Sequence, residues 1–240
     1  MSQFSQEDIK VQRLYLQIFD QLKAMIATEG LKPGDRLPPE RSLAEQFGVS
    51  RPPLREAIIA LEVKGIVEVK PGSGVYVRAH QEQHESIKAP EDLPGPFEIL
   101  EARRLFEADA CALAAERISN EKLQLLEQLL KQLEDKNTQL NAGEAEKIDQ
   151  RFHLIIADST RNSAVASTIR WLWELRNKSE ISALFHKQLR QRGSLPTVDD
   201  HRQILAALMQ RDPQAARSAM DQHLGRVIDE LTKHSLEAYD

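Results

Sequence analysis

Asp149 and His153 stand four residues apart in Asp149-Gln150-Arg151-Phe152-His153. On a helix that spacing brings both side chains to one face, where they can chelate a single ion. Two more imidazoles follow, His201 and His223, each within a stretch of helical periodicity. Three imidazoles and one carboxylate from three helices, if all point into a bundle core, would make a divalent metal site with positions left open for a ligand. On spacing alone, an Asp-x-x-x-His pair is more often solvated or structural. A second pair suits different chemistry. Arg51 and Arg55 lie four apart at the start of another helical stretch, where two guanidiniums can pair with guanine or clamp phosphate in a major groove. An isolated Arg-x-x-x-Arg is ordinarily a solvated helix face. An open metal site can also activate water, so a metal-dependent hydrolase, isomerase or dioxygenase is chemically conceivable. A placed base is missing, however. No His-Glu-x-x-His, Gly-x-Ser-x-Gly, Gly-x-Gly-x-x-Gly or Walker loop occurs, and no enzymatic activity is expected.

The elements that must position these residues are legible in the pattern. Pro38 and Pro39 open a helix with Leu43, Ala44 and Phe47 at helical spacing, and Gly48 stops it. Ser50 is expected to cap a second helix, with Pro52 and Pro53 in its first turn. Leu54, Ala57, Ile58 and Leu61 form its buried stripe, which leaves Arg51 and Arg55 facing the other way. After Gly65 the pattern alternates through Ile66-Val67-Glu68-Val69, turns at Pro71-Gly72-Ser73-Gly74 and returns as Val75-Tyr76-Val77. That is a hairpin whose glycine turn is free to approach a DNA backbone or minor groove. Two short helices around a tight turn, followed by a hairpin, outline a winged helix-turn-helix.

From His80 to Pro96 the chain is polar, proline-bearing and without apolar period. Helical periodicity then resumes and predicts helices over 97–118, 120–141, 143–159, 163–190, 197–210 and 213–237. Thr197 and Asp200 form a weak capping box, and Asp212-Pro213 is a cap followed by proline at the first helical position. No strand is expected after residue 80. The expected fold is therefore mainly α: a winged helix-turn-helix DNA-binding domain at 1–79, a linker at 80–96, and an all-helical effector-binding and dimerisation domain at 97–240.

The 240 residues are 41% hydrophobic and 29% charged, ordinary for a globular chain, and no apolar run reaches the length of a membrane span. With no signal-peptide core at the N-terminus, a cytoplasmic location and no membrane partner are expected. The single cysteine, Cys111, reads as a small core residue. Residues 1–80 carry 11 Lys+Arg against 10 Asp+Glu, so the acidic excess behind the total of −5 lies in the second half. A local basic surface can still read DNA while the acidic half faces away.

Pro-Gly-Asp-Arg-Leu-Pro-Pro-Glu-Arg at 33–41, Val-Ser-Arg-Pro-Pro-Leu-Arg-Glu-Ala at 49–57 and Gly-Ser-Gly-Val-Tyr-Val at 72–77 resemble the DNA-binding domain of GntR-type bacterial transcription regulators. The resemblance is ungapped over about fifty residues, and it implies DNA contacts at Arg41, Ser50, Arg51, Pro52, Arg55 and Gly72. Pro52 departs from members with threonine there and supplies no hydroxyl. Phe97-Glu98-x-Leu100-Glu101-x-Arg103, Asp149-x-x-Phe152-His153, Asp200-His201-x-x-Ile204-Leu205 and Met220-x-x-His223-Leu224 resemble the effector-binding domain of the FadR branch. This implies a divalent ion (Zn, Ni or Mn) held by Asp149, His153, His201 and His223, with Arg103 as the clamp for an effector carboxylate.

Gly95-Pro96-Phe97-Glu98, with Trp173, Arg176 and His186, is similar to repressors of bacterial hexuronate catabolism. A sugar acid offers a carboxylate for Arg103 and the metal, hydroxyls for Arg176 or His186, and a C–H face for an aromatic ring. Core filling is the simpler expectation for Trp171, while core and ligand contact stay open for Trp173. Lys178-Ser179-Glu180-Ile181 departs from the Asn-Pro-x-Trp-like stretch of that subgroup. The expected protein is a ligand-responsive regulator, a repressor, binding palindromic double-stranded operator DNA as a homodimer. The alternatives are a regulator that responds to another carboxylate, one whose helical domain serves only dimerisation, and the metal-dependent enzyme above.

Overall fold

Tyr15, Leu16, Ile18, Phe19, Leu22, Met25 and Ile26 recur at helical spacing and are all buried, which makes α1 (Leu14–Thr28) an amphipathic helix laid against α3 (Arg51–Val63). In the computed structural model of the chain, residues 13–70, 72–79, 93–134, 142–191 and 198–239 are described. They divide into two compact units, Met1–Pro94 with Ala238–Asp240, and Gly95–Glu237. The expectation of two short helices omitted α1. Its apolar stripe is as regular as those of its neighbours, but no motif residue marks it.

Between α1 and α3 lies α2 (Glu40–Phe47), which ends at Gly48 in the left-handed conformation, φ 65°. Ser50 occupies the position before α3, but its side chain makes no capping hydrogen bond. The reason is local. A capping oxygen accepts from the second or third helical N–H, and here those residues are Pro52 and Pro53, which have none. The Ser50 hydroxyl is left exposed.

Strands β1 (Val67–Lys70) and β2 (Gly74–Val77) pair antiparallel, with Val67 opposite Val77 and Lys70 opposite Gly74. Residues 34–37 add to the outer edge, with Gly34 N donating to Val77 O at 2.9 Å and Leu37 N to Val75 O at 2.8 Å. This is the wing, and the unit is a winged helix-turn-helix.

Among the described residues the second unit holds seven helices: α4 (Pro96–Arg117), α5 (Asn120–Glu134), α6 (Ala142–Ser159), α7 (Ser163–Lys178), α8 (Glu180–Gln191), α9 (Val198–Met209) and α10 (Pro213–Tyr239). No strand occurs in it among the described residues. Asn162 caps α7 by accepting from Ala164 and Val165, and Asp212 Oδ1 accepts from Ala215 N at 3.0 Å to cap α10. Thr197 of the expected capping box lies outside the described residues. The single helix expected over 163–190 is two. Its hydrogen-bonded ladder breaks at Ser179, which leaves the helical region with ψ 117° and whose hydroxyl accepts from Ser182 N at 3.4 Å, so it serves as the cap of α8.

The core runs between α4, α5, α6, α9 and α10, where Cys111, Leu126, Phe152, Ile204, Leu208 and Met220 are sealed from solvent. Cys111 is thus the core residue the sequence suggested, and burial together with the Glu107 charge pushes its thiol above the ordinary range. Two ion pairs tie α4 to α10. Arg104 grips Asp221 through two bonds of 2.7 and 2.8 Å, and Arg217 meets Asp109 at 2.6 Å. They fix the helix that carries Arg103 against the helix that carries His223.

Candidate metal centre and DNA-reading surface

One turn of α6 separates Asp149 from His153, and both point into the bundle, where α9 brings His201 and α10 brings His223. One candidate ligand atom from each of the four lies within 4.8 Å of the others. The rings of His201 and His223 are 4.6 Å apart between centroids, and those of His153 and His223 5.3 Å. His201 Nε2 is 2.9 Å from Asp149 Oδ1, and His153 Nε2 is 3.7 Å from the same oxygen. All three imidazoles are buried.

The protonation pattern suits a cation. His153 meets the Glu107 carboxylate through Nδ1, and His223 meets Asp200 Oδ2 through Nδ1 at 3.3 Å. A carboxylate needs a donor, so Nδ1 carries a proton, and in the neutral ring Nε2 is the nitrogen left with a lone pair. His153 Nε2 is buried without a hydrogen-bond partner among the described residues, an orphan that a metal ion would satisfy. Burial pushes His223 down to about 4, assisted by His201 and His153 and opposed by the Asp200 hydrogen bond, so it is neutral near pH 7. Burial disfavours ionisation of Asp149, yet the His201 hydrogen bond and the surrounding imidazoles outweigh it and hold the carboxyl far below the usual range. Three imidazoles and one carboxylate, nitrogen and oxygen donors together, fit a divalent transition metal.

Beside this cluster, the Arg103 guanidinium lies 3.7 Å from the centroid of the Trp173 ring, and its Nε donates to Glu107 Oε1 at 2.7 Å. Arg176 approaches the same ring at 5.0 Å, donates from Nε to His186 Nε2 at 2.9 Å and pairs with Glu146. Arg103, Trp173, Arg176 and His186 therefore form one connected group. Trp173 is fully buried, while Trp171 is 54% exposed. The core role expected of Trp171 is thus corrected: two residues along a helix is more than half a turn, so only one of the pair can face inward.

The sequence reading missed Glu107, Glu146, Asp200 and Arg226 as parts of the site. Arg103 and Glu107 hold Arg-x-x-x-Glu spacing, and Asp200 directly precedes His201, which are the only signals present. Burial opposes ionisation of Glu107, but Arg103 and His153 hold its carboxyl down at about 2. Asp200, resisted by burial and favoured by His223 and Arg226, is also at about 2.

In the winged unit Arg41 is exposed and bonded to Glu45 at 3.1 Å, Ser50 and Gly72 are exposed, and Arg51 and Pro52 are half-buried. Gly72 turns with φ 67°. Arg55 does not share the exposed face expected for it. It is 0% exposed, with Nε on Glu40 Oε2 at 2.8 Å, whereas Arg51 keeps 41% of its side chain in solvent, 3.9 Å from Glu40 Oε1. All of Leu54–Leu61 is buried, because α3 is packed by α1, α2 and β1 and has no free side through its middle.

A winged helix-turn-helix joined to a helical bundle with a buried imidazole–carboxylate cluster is the architecture of a DNA-binding regulator that carries its own sensing domain. Comparison with known proteins makes this specific. Residues 14–77 match the gntR family of bacterial regulatory proteins, and residues 98–226 match the FCD domain. The chain is 37% identical to the Uxu operon transcriptional regulator of Escherichia coli (strain K12), over 93% of this chain and 89% of that one. It is also 37% identical to the Exu regulon transcriptional regulator of the same strain, over 88% and 82%. A crystal structure of a GntR family transcriptional regulator from Pseudomonas syringae pv. tomato, 23% identical, covers 92% of this chain and 86% of its own with a TM-score of 0.51, a likeness of fold. The chain belongs to the GntR family of transcription regulators and carries an FCD domain; it is a regulator and not an enzyme. No helix among the described residues is long and apolar enough to cross a membrane.

Proposed function

We propose that this protein is a cytoplasmic repressor that binds a palindromic operator as a homodimer and responds to a hexuronate or related sugar acid. The observation that carries the reading is the meeting, in one bundle interior, of a divalent-metal ligand set with an arginine stacked on a buried tryptophan. Asp149, His153, His201 and His223 would hold the ion, which when bound supplies a positively charged seat for a carboxylate. Arg103 offers its two terminal nitrogens to the same carboxylate, and these form no hydrogen bond among the described residues. Trp173 presents both a ring and a buried, unpartnered Nε1–H, and Ser182, four residues before His186 on the same face of α8, has a buried, unpartnered hydroxyl. Buried polar atoms without partners fit a polyol better than an apolar acid. The Uxu and Exu names of the two relatives support the hexuronate class.

Arg41, Ser50, Arg51, Pro52 and Gly72 would line the DNA, with Arg51 reading a base edge and the Ser50 hydroxyl, released from capping, on a phosphate. Arg55 would contribute by holding Glu40 and the start of α3. A single reading helix contacts few bases, so two copies on half-sites one helical turn apart, about 34 Å, supply specificity. The effector shifts this equilibrium only in so far as it binds the DNA-competent and DNA-incompetent states with different affinity.

Calorimetry of D-glucuronate and D-galacturonate with the metal-loaded protein, beside mobility shift on a candidate operator, tests the reading. Arg103→Ala should weaken sugar-acid binding by about 10- to 100-fold, the loss of one charge-assisted contact, and leave effector-free operator affinity unchanged. Binding of lactate or a dicarboxylate in place of any sugar acid would remove the hexuronate assignment. An unaltered response in Arg103→Ala would remove the clamp.

A further inference from the structure

We propose that Glu107 is the positioning residue that joins the metal site to the effector clamp. The two oxygens of this one buried carboxylate are divided between the two functions. Oε2 takes the Nδ1 of His153, and Oε1 takes the Nε of Arg103 at 2.7 Å.

Each contact orients its partner. On the His153 side, an acceptor at Nδ1 keeps a proton there, turns Nε2 toward Asp149 in the ligand cluster, and raises the basicity of the ring. On the Arg103 side, anchoring Nε holds the guanidinium over the Trp173 ring at 3.7 Å and leaves the terminal pair of nitrogens as an open fork. That fork is the geometry a carboxylate needs for two parallel hydrogen bonds.

The shared carboxylate also couples the two events. Glu107 has only one charge to divide between Arg103 and His153. An effector anion that takes up part of the Arg103 charge leaves more of the Glu107 charge for His153, and a cation on His153 favours the same redistribution. Metal and sugar acid should therefore each tighten the binding of the other by one common factor, since coupling free energies are reciprocal. Arg103 and Glu107 lie one turn apart on α4, so a single helix face carries the link.

This inference rests on the metal and sugar-acid reading above, and the experiment separates the two. Glu107→Gln keeps the size and an acceptor for His153 but removes the charge and sets an amide N–H against Arg103. Zn2+ affinity of the full-length protein, measured by chelator competition without any sugar acid, should fall by about 10- to 100-fold. D-Glucuronate affinity at saturating Zn2+ should fall as well, whereas Arg103→Ala should lower only the second quantity. If the wild type binds Zn2+ and Glu107→Gln binds it as tightly, the inference is overturned while the metal reading stands. A wild type that takes up no Zn2+ overturns the metal reading itself. Should Glu107→Gln not fold, the imidazole 15N signals of the metal-free wild type decide: His153 protonated at Nδ1 supports the assignment, and His153 protonated at Nε2 refutes it.

Discussion

Arg55→Ala should destabilise the winged unit before it touches DNA recognition. Arg55 and Glu40 are buried at 0% and 4% side-chain exposure and are joined at 2.8 Å. Removing one partner of such a pair strands the other charge away from water, which typically costs about 3–5 kcal/mol. Arg51 Nε, 3.9 Å from the second Glu40 oxygen, can take over part of the compensation, so Arg55→Ala belongs at the lower end, about 3 kcal/mol. Glu40→Ala belongs at the upper end, because no other acceptor for Arg55 is present among the described residues. For a domain of this size, 1 kcal/mol corresponds to roughly 4–8 °C, so the transition of the winged unit should fall by more than about 10 °C in a calorimetric scan. Arg51→Ala serves as the contrast. Its half-exposed, long ion pair is worth about 0–1 kcal/mol, so it should melt almost as the wild type does while losing operator affinity. Replacing Glu40 and Arg55 together by methionine should recover much of the stability lost by either single change. An Arg55→Ala protein that melts with the wild type would show that the pair is not the buried contact on which this estimate rests.

His153→Ala and His223→Ala should each abolish stoichiometric binding of about one divalent ion per chain, as each deletes a direct ligand; elemental analysis with full metal in both would mean the wrong ligand set. The metal-free protein should lose stability as pH falls. His223 sits at about 4 when folded, below the unfolded value near 6.5, so its contribution of about 3 kcal/mol is complete above pH 6.5 and is lost on acidification toward pH 4. Urea titrations at pH 7 and 4.5 measure this, and equal midpoints would contradict it. Gly74→Ala should strain the wing by about 1–3 kcal/mol, because φ is +125° there and an added Cβ would meet the Arg36 guanidinium. Reduced operator affinity with an unchanged helical unit is the outcome to look for, and wild-type stability would exclude the strain.

Much of this protein was determined by the sequence because its signals are local. Proline and glycine at helix ends, alternation from Ile66 to Val77 and the four-residue step from Asp149 to His153 each act within a turn or two of backbone. They specify the wing, the second helix of the helix-turn-helix and half of the candidate ligand set without knowledge of the fold. The Ser50 cap also depended on neighbours alone, and the missing N–H groups of Pro52 and Pro53 already ruled it out. The tertiary structure decided what several elements determine together. Arg55 and Arg51 share a helix and a spacing, yet Glu40 of another helix takes one into the interior and leaves the other half in water. Glu107 reads as an ordinary helical acid until α6 brings His153 against it, 46 residues away in the chain. Helical periodicity tells which face is apolar, but which charges meet inside a bundle depends on the packing of whole helices, and that is a property of the assembled core.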